Sequence, residues 1–193
     1  MTERNDFRIL NEFEKSIILN SLDKICQNSA IFIKNYQERL YISFDKTSSR
    51  GLNPSIFLLS PEHPKIIEKF DKDIQITSIG LYFGFFNKES FRLSLEGAEF
   101  LLNRELLIQD HILVIDIDGE KSVLYGNDIK KGNAINIPFH LRKNDFLVIN
   151  NEKNEICAIA QSLINKQDLA SLNPGEIIAL NLVDMGYYLR KIQ

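Results

Sequence analysis

The chain has few of the residues from which disulfide frameworks and metal sites are usually built. Of its 193 residues only two are cysteines, Cys26 and Cys157, and they stand far apart in apolar stretches. The three histidines, His63, His111 and His140, are scattered and follow no metal-ligand spacing. We therefore expect no disulfide, no metal and no cofactor, and both cysteines are expected to be buried as small apolar side chains.

Long apolar runs are also missing. The first eight residues are polar and charged, so they contain no secretory signal core. No later segment approaches the roughly 20 apolar residues that a membrane-spanning helix needs. These absences favour a cytoplasmic protein with no membrane partner.

A strong excess of charge of either sign is absent too, because the formal net charge is only −3. Proteins that bind nucleic acid in a generic way are usually basic. We therefore expect no DNA partner, and any RNA site must be a local patch with modest electrostatic affinity on a nearly neutral surface.

Groups that could carry catalysis are equally scarce. The sequence has no phosphate-binding glycine loop and no nucleophile elbow. Asp116 and Asp118 could share a strand face, but they lie at a predicted hairpin turn, Asp118-Gly119, in which aspartate is a common residue without any catalytic role. No histidine or other partner group converges on them, so we expect no catalytic residue and no enzyme activity.

The chain is rich in apolar residues, and their patterns predict an α+β fold. Helical spacing runs through residues 7–26, and residues 65–70 and 96–102 are also predicted helices. Apolar or alternating runs predict the strands of a mainly antiparallel sheet at residues 30–33, 40–44, 55–59, 74–86 and 91–95.

After residue 103 the sequence pattern changes to short predicted strands separated by turns. Asp118-Gly119 is the sequence of a tight hairpin turn, and it predicts that strands 112–117 and 122–125 pair. Further strands are predicted at residues 135–137, 146–149, 156–159 and 177–182. Short strands at this spacing indicate a small barrel. We therefore predict two domains, residues 1–103 and residues 104–193.

Three motifs in the second half resemble the PUA domain, an RNA-binding pseudobarrel. They are ILVIDIDG at residues 112–119, VLYGNDI at 123–129 and NLVDMGYYLR at 181–190. In the first half, IGLYFGFF at 79–86, FRL at 91–93 and AEFL at 98–101 resemble the N-terminal domain of one PUA family. That family is the Nip-seven large-subunit ribosome-biogenesis factors, which include shorter archaeal relatives.

The resemblance implies a function in RNA recognition. Members of the Nip-seven family bind pre-ribosomal RNA through the PUA domain, use the N-terminal domain for protein contacts, and have no known catalytic centre. For this chain it implies an adaptor in large ribosomal subunit biogenesis and pre-rRNA processing that binds single-stranded or loop RNA. The implied partners are ribosomal RNA or its precursor and other ribosome-assembly or exosome-type RNA-processing proteins.

The sequence departs from the family pattern in places. Asn144-Asp145 stands where the family often has Gly-Asp, and Ile156-Cys157 stands where it often has Leu-Gly. Archaeal relatives carry a basic cluster late in the PUA domain, but residues 160–170 here offer only Lys166. RNA binding is therefore expected to be weaker here or to use another surface.

The resemblance and the residue types together select a set of RNA-binding candidates. Lysine and arginine side chains would pair with phosphates, and an exposed tyrosine would stack on an unpaired base. For each cation the alternative is a solvated surface side chain, and for Arg190 it is an ion pair that anchors the end of the chain. The candidates are Tyr125, Lys130, Lys131, Arg142, Lys143, Lys166 and Arg190.

Two other functions remain open at this stage. PUA domains are often attached to RNA-modifying enzymes, so the chain could be such an enzyme or a subunit of one. The first half, however, lacks a dinucleotide- or methyl-donor-type glycine loop and is short for most such catalytic domains. The second alternative is a protein-interaction module that has lost RNA binding, which the acidic balance and the thin basic cluster favour.

Overall fold

The computed structural model describes residues 7–44, 53–67, 76, 78–88 and 90–190. The chain divides into two units, Met1–Leu106 and Leu107–Gln193. The predicted boundary between residues 103 and 104 falls in the turn at 103–105 that follows the last helix of the first unit.

The first unit is built on a five-stranded antiparallel sheet with the strand order β1-β2-β3-β4-β5. Because each strand pairs with the next one along the chain, the sheet is a simple meander. The elements are β1 (Phe7–Ile9), α1 (Glu12–Leu22), α2 (Ser29–Tyr36), β2 (Leu40–Ser43), β3 (Ser55–Leu58), α3 (His63–Ile67), β4 (Leu81–Asn87), β5 (Ser90–Leu93) and α4 (Leu95–Leu102).

Aromatic side chains fill both faces of this sheet. On one face, Phe83 is fully buried and stacks on Phe32 of α2, with ring centroids 5.5 Å apart. Phe100 of α4 meets Phe83 edge-on at 6.3 Å. On the other face, the ring of Phe57 lies between those of Phe7 and Tyr82, at 6.0 and 5.7 Å. Burying large rings of this kind is a main source of stability for a small domain.

The prediction of one helix over residues 7–26 is wrong at its N-terminal end. Residues 7–9 form strand β1, and the helix begins after Asn11. The Asn11 side chain accepts a hydrogen bond from the amide of Glu14, and the Glu14 carboxylate accepts one from the amide of Asn11. This capping box fixes the start of α1.

The predicted strand at residues 30–33 is also wrong, because these residues lie in helix α2. Ser29, Phe32 and Ile33 are buried, whereas Ile31 is 56% exposed. The buried positions follow helical spacing, but a run of four apolar residues is too short to show it in the sequence.

Most other predictions for this unit are confirmed to within two residues at each end. Strands β2, β3 and β5 and helix α4 correspond to the segments predicted at 40–44, 55–59, 91–95 and 96–102. The strand predicted from residue 74 starts only at Leu81, and residues 71–75 lie outside the described residues. Helix α3 overlaps the helix predicted at 65–70, of which residues 68–70 are likewise not described.

The second unit is a six-stranded, nearly closed sheet with the strand order β7-β11-β10-β9-β6-β8. β6 and β9 are parallel and the other neighbours are antiparallel. This sheet follows an antiparallel sheet with helices, so the predicted α+β class is confirmed. The elements are β6 (Ile112–Ile115), α5 (Ile117–Leu124), β7 (Ile129–Lys130), β8 (Ala134–Asn136), β9 (Phe146–Asn150), β10 (Ile156–Ser162), β11 (Ile177–Asp184) and α6 (Tyr187–Arg190).

The predicted hairpin at Asp118-Gly119 is wrong, because both residues lie in the first turn of helix α5. The side chain of Asp116 caps this helix by accepting a hydrogen bond of 2.7 Å from the amide of Gly119. Asp118 and Glu120 place negative charge near the helix N-terminus, where the helix dipole favours it. Within the described ranges, no helix has the length and apolar character of a membrane span.

Candidate functional site

The strand directions divide the seven predicted RNA-binding residues between two ends of the second sheet. β11 begins beside Lys130, which pairs with Ile177, and it finishes at Asp184, where Arg190 binds. The end of the sheet where β11 begins is also the end where β6 and β9 begin and where β10 finishes. We call this the basic end and define it by its cations, which are Lys130, Lys131, Arg142, Lys143 and Lys166.

Two of these lysines brace the segments that connect the strands. The ammonium group of Lys131 donates to the carbonyl oxygen of Leu172 at 2.6 Å. The ammonium group of Lys166 donates to the carbonyl oxygen of Ile137 at 3.0 Å. An ammonium group has three donors, so each lysine keeps some capacity to bind an anion while it holds its loop.

The other three cations have exposed side chains. Among the described residues, no hydrogen bond or ion pair engages the side chains of Lys130, Arg142 and Lys143. Their backbone is nevertheless fixed, since the amide of Arg142 donates to Asp145 at 2.7 Å and that of Lys143 donates to Asn165 at 3.1 Å. The Arg142 and Lys143 side chains therefore carry unpaired positive charge on a backbone that hydrogen bonds hold in place.

The carboxylates at this end bind backbone amides, and in the case of Asp110 also the His140 ring, rather than these cations. Asp145 accepts from the amide of Arg142, and Asp168 accepts from the amide of Asn165 at 2.7 Å. Glu176 accepts in the same way from the amide of Asn173. In the described part of the chain none of them pairs with a basic-end cation, so the cations stay available for an anionic ligand.

Sequence reasoning missed an exposed aromatic side chain beside these cations. Phe139, in the loop between β8 and β9, is 75% exposed, and His140 next to it is also exposed. Arg142 and Lys143 follow directly in the same loop. The sequence gives no clear signal of this exposure, because Phe139 lies between two apolar residues, Ile137 and Leu141, and Leu141 is buried in the core.

At the opposite end Arg190 serves as a structural anchor. Its Nη1 and Nη2 atoms donate to Oδ1 and Oδ2 of Asp184 at 2.9 and 2.8 Å, and Nη1 also donates to the carbonyl oxygen of Leu124. The hydrogen bonds that the Arg190 guanidinium donates to Asp184 raise its pKa. This contact is the ion pair that the sequence left open as an alternative to RNA binding, and it ties the last helix to α5.

Two glycines make room for this anchor. Gly126 has a φ of +87°, and a Cβ atom there would lie 3.0 Å from the Arg190 guanidinium. A Cβ atom at Gly186 would lie 2.0 Å from the carbonyl oxygen of Leu124. Neither position can therefore carry a side chain without displacing Arg190 or the end of α5.

Tyr125 stands beside this anchor at the C-terminal end of α5 and is 77% exposed. It is therefore accessible to a base, but it lies at the other end of the sheet from Arg142 and Lys143. Of the two tyrosines near Arg190, Tyr187 is half-buried, and the side chain of Tyr188 lies outside the described part. No group of His, Cys, Asp and Glu side chains suited to a metal is present among the described residues.

The second unit is similar in sequence to known proteins. Residues 111–193 match the family model described as the UPF0113 PUA domain. A UPF0113 protein of Archaeoglobus fulgidus is 31% identical to this chain over 100 residues, which are 52% of this chain and 55% of that protein. This chain therefore spans about half the length of that relative.

Solved structures show the same fold. A conserved PUA domain protein from Thermoplasma acidophilum is similar with a TM-score of 0.60 at 12% identity, over 96% of this chain and 98% of that one. A hypothetical protein from Pyrococcus horikoshii OT3 gives a TM-score of 0.62 at 13% identity, over 95% and 98%. Over residues 111–193 the C-terminal unit is thus similar in sequence to the UPF0113 PUA domain, and its fold is similar to that of solved PUA-domain proteins.

Proposed function

We propose that the C-terminal unit binds single-stranded or loop RNA through the basic end. PUA domains generally bind RNA, and one observation supports this site above others. Lys130, Arg142 and Lys143 present unpaired cationic groups at one end of the sheet, while the neighbouring carboxylates are occupied by backbone amides. Such groups suit phosphate contacts, which supply most of the affinity in RNA binding without sequence preference.

The small number of free cations sets the expected strength of binding. Each phosphate contact on single-stranded nucleic acid contributes a slope of about −0.7 to the dependence of log affinity on log salt concentration. Three free cations therefore give a slope of about −2. With a net charge of −3 on the whole chain, binding is expected to be weak at physiological salt.

At a finer level, we propose that the protein is a non-catalytic adaptor of the Nip-seven type in large ribosomal subunit assembly. Two of the first-half motifs that resemble this family lie in regular elements of the first unit. Residues 81–86 form most of strand β4, and residues 98–101 lie in helix α4. The first unit would then contact other assembly or RNA-processing proteins. Phe13 of helix α1, with 73% of its surface exposed, is a side chain suited to such a contact.

The test is a fluorescence-anisotropy titration of a labelled U-rich single-stranded RNA, with an A-rich RNA beside it, at several salt concentrations. We expect saturable binding by the full chain. The double variant Arg142→Ala/Lys143→Ala should lower the steepness of the salt slope by about 1.4, which is two phosphate contacts.

The matched control is the double variant Lys121→Ala/Lys153→Ala, which removes the same charge from exposed positions away from the basic end. It should leave the slope nearly unchanged. Equal effects of the two variants would show that the basic end is not the site. Absence of binding to either RNA at low salt would contradict direct RNA recognition and favour a protein-interaction module.

A further inference from the structure

We propose that Phe139 is a stacking platform for an unpaired RNA base at the basic end, and that Asp110 and His140 hold it in place. This inference rests on the proposed function, since it names a base contact beside the cations that would bind phosphates. It concerns the loop between β8 and β9, which none of the recognised sequence motifs includes.

Asp110 fixes the backbone and the neighbouring ring at this point of the loop. One oxygen of its carboxylate accepts a hydrogen bond from the amide of Phe139 at 3.2 Å. The other oxygen binds Nδ1 of His140 at 2.6 Å. The Phe139 and His140 rings then meet edge-on, with their centroids 4.8 Å apart and their planes at 84°. An aromatic pair in this geometry is itself favourable.

The exposure of Phe139 has no explanation in the folding of the unit. Its ring is 75% exposed and does not belong to the buried cluster around Leu113, Ile115 and Leu147. A solvent-exposed phenylalanine forgoes the favourable free energy of burial that the ring would gain in a core. A loop that nonetheless holds this ring in a defined position is preorganised for a ligand with a flat apolar surface.

The Asp110 carboxylate beside the ring is bound by the Phe139 amide and the His140 ring, and the free charges that remain favour a nucleic-acid ligand over an apolar protein segment. Arg142 and Lys143 follow in the same loop, and their side chains are exposed and have no partner among the described residues. Lys166 is linked to this loop through the carbonyl oxygen of Ile137. A phenyl ring beside free cations matches an unpaired base beside its phosphates, which is the usual arrangement in proteins that bind single-stranded nucleic acid.

The chemistry of the side chain also limits specificity. A phenyl ring offers no hydrogen-bond donor or acceptor, and every base has a π-face. Phe139 should therefore accept any unpaired base and reject a base that is held in a duplex. We expect it to add affinity for single strands with little preference between U-rich and A-rich RNA.

The chain contains no tryptophan, so a single introduced indole can report contact with RNA. Three single-tryptophan variants would be compared, Phe139→Trp, Tyr125→Trp and Phe13→Trp, all at exposed aromatic positions. On titration with the single-stranded RNA, we expect the fluorescence of Phe139→Trp to be quenched in parallel with the anisotropy change. Tyr125→Trp and Phe13→Trp should change little.

Affinity measurements complete the test. Removal of one stacked base contact is expected to weaken binding about five- to 150-fold in Phe139→Ala, whereas Phe139→Tyr should bind as wild type does. A duplex RNA should bind wild type and Phe139→Ala equally well.

The outcomes separate this inference from the proposed function. If the wild-type chain binds RNA but Phe139→Ala binds equally tightly and the fluorescence of Phe139→Trp does not respond, the stacking platform is wrong and the basic end can still be right. Quenching in the Tyr125→Trp variant alone would place the base at the opposite end and overturn the inference. If the wild-type chain binds no RNA, the proposed function fails, and the stacking platform fails with it.

Discussion

Asp184 and Arg190 meet through two parallel N–H···O bonds of 2.9 and 2.8 Å, and the Asp184 carboxylate is almost fully buried. Removal of the guanidinium would leave a buried negative charge with only the Asn181 amide as a side-chain donor in the described part. We therefore expect Arg190→Ala to lower the midpoint of thermal unfolding by several degrees. Circular dichroism would measure this.

Two further measurements test the role of Arg190. Arg190→Lys should have nearly as low a midpoint of thermal unfolding as Arg190→Ala, because an ammonium group cannot reproduce the two-point contact. The salt slope of RNA binding should be the same in Arg190→Ala as in wild type, since the guanidinium is already committed to Asp184. A normal melting midpoint together with a reduced salt slope would instead make Arg190 an RNA ligand.

Helix α5 allows a comparison of two aspartates that are two residues apart. Asp116 caps the helix and also accepts from the Asn133 side chain at 3.2 Å. Among the described residues, the Asp118 side chain forms only an exposed ion pair with Lys121. We expect Asp116→Ala to cost about 0.5–2 kcal/mol of unfolding free energy and Asp118→Ala to cost no more than about 0.5 kcal/mol. Urea denaturation of both variants would check this, and equal losses would contradict the capping role.

The same helix shows why part of the fold could not be predicted. The Asp-Gly pair at residues 118–119 is a strong local signal for a hairpin turn, whereas Asp116 with acidic residues after it is an equally local signal for a helix start. The choice between them depends on packing, and in the folded unit the helix places Val123 in the buried core. Strands such as β9 and β10 could be predicted, because residues with strong turn preference, Asn144-Asp145 and Asn150-Asn151, bound their short apolar runs.

The contact between Asp110 and His140 should make stability depend on pH. The hydrogen bond from the His140 ring is the main reason that the pKa of the Asp110 carboxyl lies below its usual value. A carboxyl with a lowered pKa stabilises the folded state at pH values above its unfolded pKa of about 3.9. That contribution is lost as the pH falls through the lowered pKa of the folded state.

Asp110→Asn is therefore expected to be less stable than wild type at pH 7, and the difference should shrink as the pH is lowered from about 5 toward 3. Unfolding by urea at several pH values measures this difference. Asp118→Asn is the control, because it removes the same charge from an exposed ion pair that contributes little to stability. A difference that stays constant across this pH range would contradict a stabilising role for the ionised Asp110 carboxylate beside His140.

Neither cysteine should react with a thiol reagent in the folded protein. Burial raises the pKa of the Cys26 thiol to about 11. Burial, together with the nearby Glu120 and Glu155 carboxylates, raises that of Cys157 to about 12. Because the thiolate is the reactive form, we expect a thiol reagent at pH 8 to label neither residue until denaturant is added. Immediate labelling of one thiol in native buffer would contradict this prediction.

The candidate site was predictable only in part. Lys130, Arg142 and Lys143 could be selected as cations, but the sequence does not show that Asp145 binds a backbone amide and so leaves Arg142 unpaired. The importance of Phe139 depends on its exposure, which follows from the path of the loop between β8 and β9 and not from any motif.

The close approach of Gly126, Gly186 and Arg190 has a consequence for how this domain can change during evolution. A side chain at either glycine would collide with Arg190 or with the carbonyl oxygen that it binds. A lineage that replaced Arg190 with a shorter residue would still need both glycines, because a Cβ atom at Gly186 would lie 2.0 Å from the backbone oxygen of Leu124 and Gly126 has a φ of +87°. We therefore expect both glycines to be kept even in homologous sequences that have lost Arg190, while neighbouring Tyr125 varies independently.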